Sequence, residues 1–435
     1  MLYDLGAAIR FNVPRVQNMG VFCHLYISSG MPPTMKCEQI KCGGKGNSFQ
    51  VYFCLKVFLV KGFMKKISYI SGSTLPSQKA NAVHVMKMCH ALAKLSDTGV
   101  TLHGKRGNGR SDIFEYYGLT PNFTVKRSPF GRVKLFSGIF RLLWLLKDIG
   151  LIPRNQIFYG RDALGLWLLS FSNHPTYFEA HQVPQGKMEH WLWRRLFKRP
   201  CFQGLVVISE GLKADIQKTF PELNTKILVA HDGADLIERS LKPVPEKDWR
   251  GRKRAPNIGY TGSLHKGKGI ELIVKIAHLL PEMDFHVIGG SAQQIQTIRD
   301  TLNPSENIYF YGHVPHADIA SYIIRFDVAL APYQSEIFIE SGADIARWIS
   351  PLKLFEYMAA RRPIIGTDIP ALGEIIQHGR NGYLAAPDDI DLWVELICRL
   401  IKSAPLAQAM GLEAEKDIQD QFSWANRAKI ISEFI

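Results

Sequence analysis

The hydrophobic and polar positions of this chain alternate in blocks from about residue 66 onward. Short apolar runs bounded by polar or turn residues predict buried strands, and stretches with apolar residues on one helical face predict helices between them. The predicted strands are Ile67–Ser71, Val100–His103, Gln156–Tyr159, Thr176–Glu179, Leu205–Ser209, Asn257–Thr261, Asp284–Ile288, Asn307–Tyr311, Asp327–Ala331 and Pro363–Thr367. Because strands that alternate with helices form parallel sheets with helical crossovers, the pattern indicates an α/β protein.

The alternation is interrupted between residues 236 and 255, where polar residues accompany Pro243 and Pro245. Such a composition is typical of a linker. We therefore expect two doubly wound domains, 64–240 and 255–418, that face a central cleft and bind ligands beyond the carboxyl ends of their strands. The last helix, within residues 419–435, is expected to pack back on the first domain.

Residues 1–63 lack the periodicity of the rest of the chain. Their apolar run from Val51 to Val60 is too short to span a bilayer. Met64 is followed by two lysines and then by the first predicted strand, as at a natural start. We expect residues 1–63 to be an extension outside the fold, and a genuine N-terminal arm is the alternative.

Composition narrows the class of protein. With 46% hydrophobic and 21% charged residues, the chain is not mainly disordered. A formal net charge of +14 favours a polyanionic neighbour: nucleic acid, an anionic membrane or a phosphorylated ligand. The seven cysteines show no paired metal-binding spacing, which is typical of a reduced, cytoplasmic protein.

The positive charge is concentrated between residues 121 and 200, which hold thirteen lysines and arginines against four acidic residues. Two segments there, 132–147 and 191–199, place these cations beside Trp, Phe and Leu. That combination suits the interface of an anionic bilayer. Buried helices with charged rims are the alternative. Nucleic acid is not expected as a partner, because no recognised nucleic-acid module is present.

A glycine-rich segment, Gly262 to Ile270, joins a predicted strand to a predicted helix and contains Lys268. Glycine allows the backbone to approach an anion closely, and the free amides of a helix N-terminus bind phosphate. Lys268 adds a positive charge at the same place. The segment therefore predicts a phosphate-binding loop, with a solvated basic turn as the alternative.

A second segment runs from Ser350 to Met358. Ser350 and Pro351 open a predicted helix, since proline suits the first turn. Glu356 lies on that helix among apolar residues, and its carboxylate can accept hydrogen bonds from both hydroxyls of a ribose. The alternative is an ordinary amphipathic helix with an exposed glutamate.

Together these two segments resemble the group-one (family-four) retaining glycosyltransferases of GT-B fold. Further matches follow in order at 75–84, 179–181, 207–212, 232–235, 369–374 and 379–383, so that the resemblance covers residues 66–435. It implies two Rossmann-like domains, the first binding the acceptor and the second binding a nucleoside-diphosphate sugar.

The resemblance also implies roles for individual residues. The expected donor-binding residues are Gly262, Ser263, Lys268, Ser350, Pro351, Leu352, Lys353 and Glu356. His181 is the candidate beside the reacting centre, with Glu179 as its orienting partner, and Ser77, Lys79 and Asn81 form the loop on the acceptor side. The implied reaction transfers a sugar, with retention, to a glycan or to a polyprenyl or other lipid-linked acceptor. The implied setting is cell-surface polysaccharide or glycolipid synthesis on the inner face of the membrane.

Two positions depart from the family pattern. Trp348 stands where the first glutamate of the E-x7-E motif is expected, and Ser263 replaces the usual arginine of the phosphate loop. These departures keep a non-catalytic subunit that binds donor or lipid as one alternative. A nucleotide-sugar epimerase of the same architecture is the other.

No metal or other cofactor is expected. The one metal-like motif, Asp389-Ile390-Asp391, opens a predicted helix, where acidic residues are favoured by the helix dipole.

Overall fold

The computed structural model describes residues 65–95, 98–107, 112–128, 147, 155–338 and 344–435. The predictions for residues 1–63, and for nearly all of the basic segment 132–147, lie outside these ranges. Within them the chain forms two parallel sheets, each covered by helices.

The first sheet has seven strands in the order β3-β2-β1-β4-β5-β6-β7. They are β1 (Lys65–Leu75), β2 (Thr98–Arg106), β3 (Thr124–Ser128), β4 (Gln156–Gly160), β5 (Thr176–Ala180), β6 (Phe202–Val207) and β7 (Lys226–Val229). The helices are α1 (Ala80–Leu92), α2 (Ile113–Tyr116), α3 (Ala163–Leu169), α4 (Gly186–Phe197) and α5 (Glu210–Thr219).

The second sheet has six strands in the order β10-β9-β8-β11-β12-β13. They are β8 (Asn257–Thr261), β9 (Asp284–Ile288), β10 (Ile308–Gly312), β11 (Val328–Ala331), β12 (Ile364–Thr367) and β13 (Tyr383–Ala385). The helices are α6 (Ile270–Leu279), α7 (Ala292–Leu302), α8 (Ile319–Ile323), α9 (Leu352–Ala359), α10 (Pro370–Gly373), α11 (Ile390–Lys402), α12 (Ala404–Asp417) and α13 (Trp424–Phe434).

Both sheets are doubly wound, which confirms the predicted fold class. The direction of winding reverses between β1 and β4 in the first sheet and between β8 and β11 in the second. At such a switch point the loops on either side diverge and leave a crevice at the carboxyl ends of the strands. The fold therefore places the ends of β1, β4, β8 and β11 where ligands are expected.

The predicted strands differ from the observed ones mainly at their ends. The predicted strand at residues 205–209 in fact ends at Val207, because Ser209 begins α5: its hydroxyl accepts a hydrogen bond from the Leu212 amide at 3.2 Å. Strands β3, β7 and β13 were not predicted. β3 has exposed polar positions, and β7 and β13 each contain only three apolar residues, fewer than the run that indicates a buried strand.

The linker packs on the second domain, whereas the last helix packs on the first. Trp249 of the linker stacks on His286 of β9, with ring centroids 4.1 Å apart, so the linker packs on the second domain. Helix α13 leaves the second domain and packs on α1 of the first. Its residues Trp424, Ala428 and Ile431 belong to the same buried cluster as the inward face of α1.

The two domains are tied together beside the cleft. The carboxylate of Glu374, in the second domain, accepts hydrogen bonds from the amides of Glu210 and Gly211 at 2.8 and 3.0 Å, and so caps the start of α5. The hydroxyl of Ser209 donates to the carbonyl of Trp348 at 3.3 Å. The indole of Trp348 packs into the core of the first domain and donates to Asp215 at 2.7 Å. Trp348, which stands where the family motif has its first glutamate, therefore anchors the second domain to the first.

Among the helices that the structure describes, none combines the length and the apolarity required to cross a membrane.

We predict that replacing the Trp348 anchor with the family's residue destabilises the protein. Trp348→Glu loses the buried indole and brings a second carboxylate close to Asp215, and we expect a loss of roughly 3–5 kcal/mol in the free energy of unfolding. Trp348→Phe keeps most of the packing and loses one hydrogen bond, with an expected loss of about 1 kcal/mol. Urea denaturation followed by circular dichroism measures both. Equal stability of the glutamate variant and the wild type would contradict this role.

Candidate functional site

The predicted phosphate-binding loop lies at the carboxyl end of β8, at the switch point of the second sheet. Gly262 has a φ of 137°, and a Cβ there would lie 2.9 Å from the Lys353 ammonium. Gly269 has a φ of 87°, and a Cβ there would lie 1.7 Å from the Pro332 carbonyl oxygen. Only glycine fits either position, so the loop passes directly against β11 and α9.

Lys353, on the first turn of α9, is buried with 8% of its surface exposed. Its ammonium lies 3.6 Å from the ring centroid of Tyr260 and 5.1 Å from that of Tyr333. It has no hydrogen-bond partner among the described residues. The Lys268 ammonium also lies near Tyr333, 5.0 Å from that ring centroid. Two lysines therefore converge at Tyr333, and no carboxylate among the described residues forms a salt bridge with either.

Burial disfavours the charged form of both lysines, and repulsion by Lys268 adds to this effect at Lys353. Burial lowers the pKa of Lys268 to about 8. Burial and then the charge of Lys268 hold the pKa of Lys353 well below its ordinary value, and Glu356 opposes this only in part. An unpaired buried ammonium is costly, and a bound anion removes that cost. The arrangement has the chemistry of an anion site.

The remaining expected donor residues lie around the start of α9. Ser263 is exposed, and its carbonyl accepts a hydrogen bond from the Tyr260 hydroxyl at 2.8 Å. Pro351 precedes the first residue of the helix, Leu352. The Ser350 hydroxyl oxygen accepts a hydrogen bond from the Asp232 amide at 2.8 Å, which ties α9 to the first domain. Ser350 is thus engaged between the domains.

Glu356 pairs with His316 at 2.8 Å, and both side chains are partly exposed. They line an interdomain cavity of about 270 Å³ together with Lys87 of α1 and the loop after Tyr117. The carboxylate is therefore accessible to a ligand that replaces His316.

The first domain contributes His181, directly after β5. Its Nε2 lies 2.7 Å from Oε1 of Glu179 in a hydrogen bond, and its side chain is partly exposed. Burial, and then repulsion by Arg161, lowers the pKa of His181 to about 3, so the imidazole is neutral. Glu179 itself is 1% exposed and is surrounded by protein groups. Its expected role as an orienting group fits this burial, but it has no surface with which to touch a substrate.

Glu179 is held by residues from three other parts of the chain. Oε1 also lies 2.8 Å from Nε2 of His84, on α1, and 2.8 Å from Nη2 of Arg427, on α13. The other His84 nitrogen, Nδ1, lies 2.9 Å from Asp232. These side chains are nearly fully buried. They form one charged cluster beneath His181.

His84, Glu179 and His181 are the one group of possible metal ligands found among the described residues. The Glu179 oxygen that both histidines approach is also contacted by Arg427, whose positive charge repels a cation. The cluster therefore has the character of an ion-pair network. The acidic motif at 389–391 lies at a helix start as predicted, since the Asp389 side chain accepts a hydrogen bond from the Leu392 amide at 3.0 Å.

The expected acceptor loop precedes α1. The Ser77 amide donates to the Tyr117 hydroxyl at 2.8 Å, and that hydroxyl donates back to the Ser77 carbonyl at 3.1 Å. Lys79 and Asn81 are exposed at the start of the helix. The backbone of the loop is thus fixed, while its side chains face solvent.

A larger depression of about 810 Å³ lies at the opposite, amino ends of β8 and β11. Much of its basic lining is already neutralised, as by the pairs Arg252–Asp284, Arg325–Glu246 and Arg361–Glu415. It is remote from the lysines and from His181, and we do not assign the site there.

Sequence reasoning missed His84, Asp232, His316 and Arg427. A signal existed for Arg427, which falls on the apolar stripe formed by Trp424, Ala428 and Ile431 at helical spacing. A charged residue on such a stripe needs a buried partner. For His316 the sequence shows no comparable signal, because it lies in a short 3-10 turn.

Comparison with known proteins was consistent with this geometry. The family model "Glycosyl transferases group 1" matches residues 255–403, which hold both lysines and Glu356. A D-inositol 3-phosphate glycosyltransferase from Corynebacterium urealyticum is 23% identical over 249 residues, which are 53% of this chain and 55% of the relative. The chain thus spans about half the length of the curated relatives it matches.

Solved structures match nearly the whole described chain. Sucrose-phosphate synthase from Thermosynechococcus elongatus superposes with a TM-score of 0.67 at 16% identity, covering 85% of this chain and 98% of that one. HepE from Anabaena, in complex with UDP and glucose, superposes with a TM-score of 0.60 at 14% identity, with the same two coverages. At such identities the likeness concerns the fold. The second domain therefore matches the group-1 glycosyltransferases, and the two doubly wound domains together have the GT-B fold.

Proposed function

We propose that this protein transfers a sugar from a nucleoside-diphosphate sugar to a glycan or lipid-linked acceptor, with retention of the anomeric configuration. The observation that carries the donor half of the proposal is the buried, unpaired ammonium of Lys353 beside Gly262. Only an anion completes such a site, and the glycine leaves room for one to approach.

The two lysines suit the leaving group of the reaction. As the bond between the sugar and the diphosphate breaks, negative charge develops on the diphosphate oxygens. Lys353 and Lys268 are held rigidly against Tyr260 and Tyr333, so they stabilise that charge without reorganising. Lys353 thereby supplies the second positive charge that Ser263 lacks. We propose that no metal is required.

The nucleoside is proposed to bind through Glu356. The ribose would displace His316, and the Glu356 carboxylate would then accept hydrogen bonds from both ribose hydroxyls. UDP is the first nucleotide to test, because HepE was solved with UDP and glucose.

The acceptor is proposed to bind on the first domain, between the Ser77–Asn81 loop and His181. The hydrogen bonds of Glu374 and Trp348 with the first domain hold the two domains together. A closed cleft would exclude water and so limit hydrolysis of the donor. Because the Trp348 indole is buried in the first domain, the donor sugar is held without the glutamate usual in the family.

A surface of α3 and α4 supports a membrane-associated acceptor. Its exposed apolar side chains are Leu164, Phe171, Met188 and Trp191, of which Met188 is 77% and Phe171 59% exposed. The Trp167 ring joins two of them, since its centroid lies 5.5 Å from that of Phe171 and 5.8 Å from that of Trp191. Leu164 and Met188 precede Trp167 and Trp191 by three residues and so lie on the same helix faces. We name these five residues the α3–α4 patch.

Cations border the α3–α4 patch. Arg199 lies over the Phe171 ring at 4.2 Å and Arg195 over the Trp191 ring at 5.4 Å. Aromatic and aliphatic side chains edged by arginines bind anionic bilayers through apolar insertion and charge together. We therefore propose that the protein sits peripherally on the cytoplasmic face of the membrane and acts in polysaccharide or glycolipid synthesis.

The donor site is tested with Lys353→Met. Loss of the ammonium is expected to weaken UDP binding roughly 10- to 100-fold, the value of a charge-assisted hydrogen bond of about 1.5–3 kcal/mol. Lys266→Met is the matched control, because Lys266 lies on the loop between β8 and α6, close to the site in sequence, but is exposed. Isothermal titration with UDP, in EDTA and then with Mn²⁺, measures the affinity and tests the absence of a required metal.

Turnover separates the proposed function from its alternatives. Wild-type protein with UDP-sugars is expected to release UDP faster when an acceptor glycolipid is added. Conversion of the donor sugar to an epimer without any acceptor would instead identify an epimerase. Tight UDP binding with no turnover would identify a non-catalytic subunit. If no nucleoside diphosphate binds the wild type, the proposal fails.

The two lysines also predict how affinity depends on pH. In the empty site their pKa values are lowered, to about 8 for Lys268. A bound diphosphate raises both, so binding takes up protons, and UDP affinity should fall as pH rises from about 7 to 9. Titrations at pH 8 in buffers of different ionisation enthalpy measure the uptake. Proton release, or a pH-independent affinity, would contradict the assignment.

The α3–α4 patch is tested with the double variant Met188→Asp, Trp191→Asp. Wild-type protein is expected to sediment with vesicles containing about one-third phosphatidylglycerol. The variant should bind these vesicles more weakly by a factor of at least about ten, because two apolar side chains no longer insert. Leu279→Asp, an exposed leucine at the end of α6, serves as the control. Equal sedimentation of all three proteins would exclude this surface as the membrane contact.

A further inference from the structure

The charged cluster beneath His181 brings together side chains that are far apart in sequence. Glu179 ends β5, His84 lies on α1, Asp232 follows β7 and Arg427 comes from α13, and each is 5% exposed or less. Buried charges of this kind are stable only when they balance one another. The balance in this cluster has a consequence for the histidine above it.

Three members of the cluster are charged. Burial alone would raise the pKa of Glu179, but His84 and Arg427 hold it well below its ordinary value. The pKa of Asp232 is lowered against burial in the same way, chiefly by His84, and Glu179 raises the pKa of Arg427. Two carboxylates and one guanidinium leave one negative charge, and the two nitrogens of His84 lie 2.8 and 2.9 Å from the carboxylates.

The other groups that face Glu179 do not supply a positive charge in contact with it. The hydroxyls of Tyr69 and Tyr159 both donate to Oε2, the first at 3.2 Å. Burial and then Glu179 raise both phenol pKa values, so they remain neutral donors. Cys89 is neutral for the same reasons, and Arg161 acts on His181 and Tyr69 from farther away.

The state of Glu179 determines which nitrogen of His181 carries the proton. An ionised carboxylate only accepts hydrogen bonds, so Nε2 of His181 must donate in the contact at 2.7 Å. Because this imidazole is neutral, Nδ1 is then an acceptor. It has no partner among the described residues, and the side chain reaches the surface at the carboxyl end of β5.

We propose that His84 and Arg427 are positioning residues that keep Glu179 ionised and thereby fix His181 as the Nε2–H tautomer, with Nδ1 directed to a substrate hydroxyl. The hydroxyl belongs to the donor sugar or to the acceptor, and this last step rests on the proposed function. The tautomer itself depends only on the cluster.

The test is nitrogen NMR of the full chain with 15N-labelled histidine, assigned with a His181→Gln variant. Wild-type His181 is expected to be the neutral Nε2–H tautomer from pH 5 to 9. In Arg427→Met the cluster loses a positive charge, so Glu179 protonates and donates, and His181 should switch to the Nδ1–H tautomer at acidic pH. Arg427→Lys keeps the charge and should restore the wild-type tautomer.

His84→Gln tests the second contact independently. Glutamine keeps polar contact with both carboxylates but removes the imidazole that lowers the Glu179 pKa, and the same switch of tautomer is expected. In Arg427→Met and His84→Gln, kcat should fall roughly tenfold or more at pH 6 and recover toward pH 8, while UDP affinity stays unchanged. A purely structural role would lower activity equally at every pH.

The wild-type spectrum alone can overturn the proposal. An Nδ1–H tautomer or a charged His181 at pH 6 would contradict it, whether or not the variants fold. A wild-type protein that shows the expected tautomer but binds no nucleoside diphosphate would instead reject the proposed function and leave the cluster's assignment standing.

Discussion

The contact between Glu179 and Arg427 joins a central strand of the first sheet to the helix that follows the second domain. Glu179 ends a central strand of the first sheet, and Arg427 belongs to the helix that returns after the second domain is complete. Removing either partner leaves an uncompensated buried charge, which costs several kcal/mol. The last helix is therefore held in the first domain by charge as well as by the packing of Trp424, Ala428 and Ile431.

The two domains treat buried charge in opposite ways. In the first, the two carboxylates are contacted by Arg427 and His84, so that each has a protein partner. In the second, Lys353 and Lys268 are placed around Tyr333 without a bound carboxylate. This difference distinguishes a cluster that positions side chains from a site that awaits a ligand. Because the candidate anion site is formed by lysines, a search for clustered carboxylates and histidines does not find it.

The fold was largely predictable from sequence, because parallel strands buried on both faces produce apolar runs. Strands β8 and β9 were predicted to the residue, whereas the ends of β1 and β6 depend on contacts that no local pattern contains. Helix α9 was predictable for the same local reason. The partners of Glu179 were not, since Tyr159, Tyr69 and Arg427 lie 20, 110 and 248 residues away along the chain.

Trp348 and Ser263 show how a missing residue can mislead when it is considered alone. At Trp348 the backbone carbonyl and the indole both bind the first domain, so this position serves the domain interface and a carboxylate would be buried there. At Ser263 the arginine is absent, but the Lys353 ammonium lies beside the neighbouring Gly262. A positive charge at a phosphate depends on where the ammonium is, not on which segment carries it. The loss at residue 263 is therefore offset from α9, and the departure from the family pattern changes the route by which the site acquires its charge.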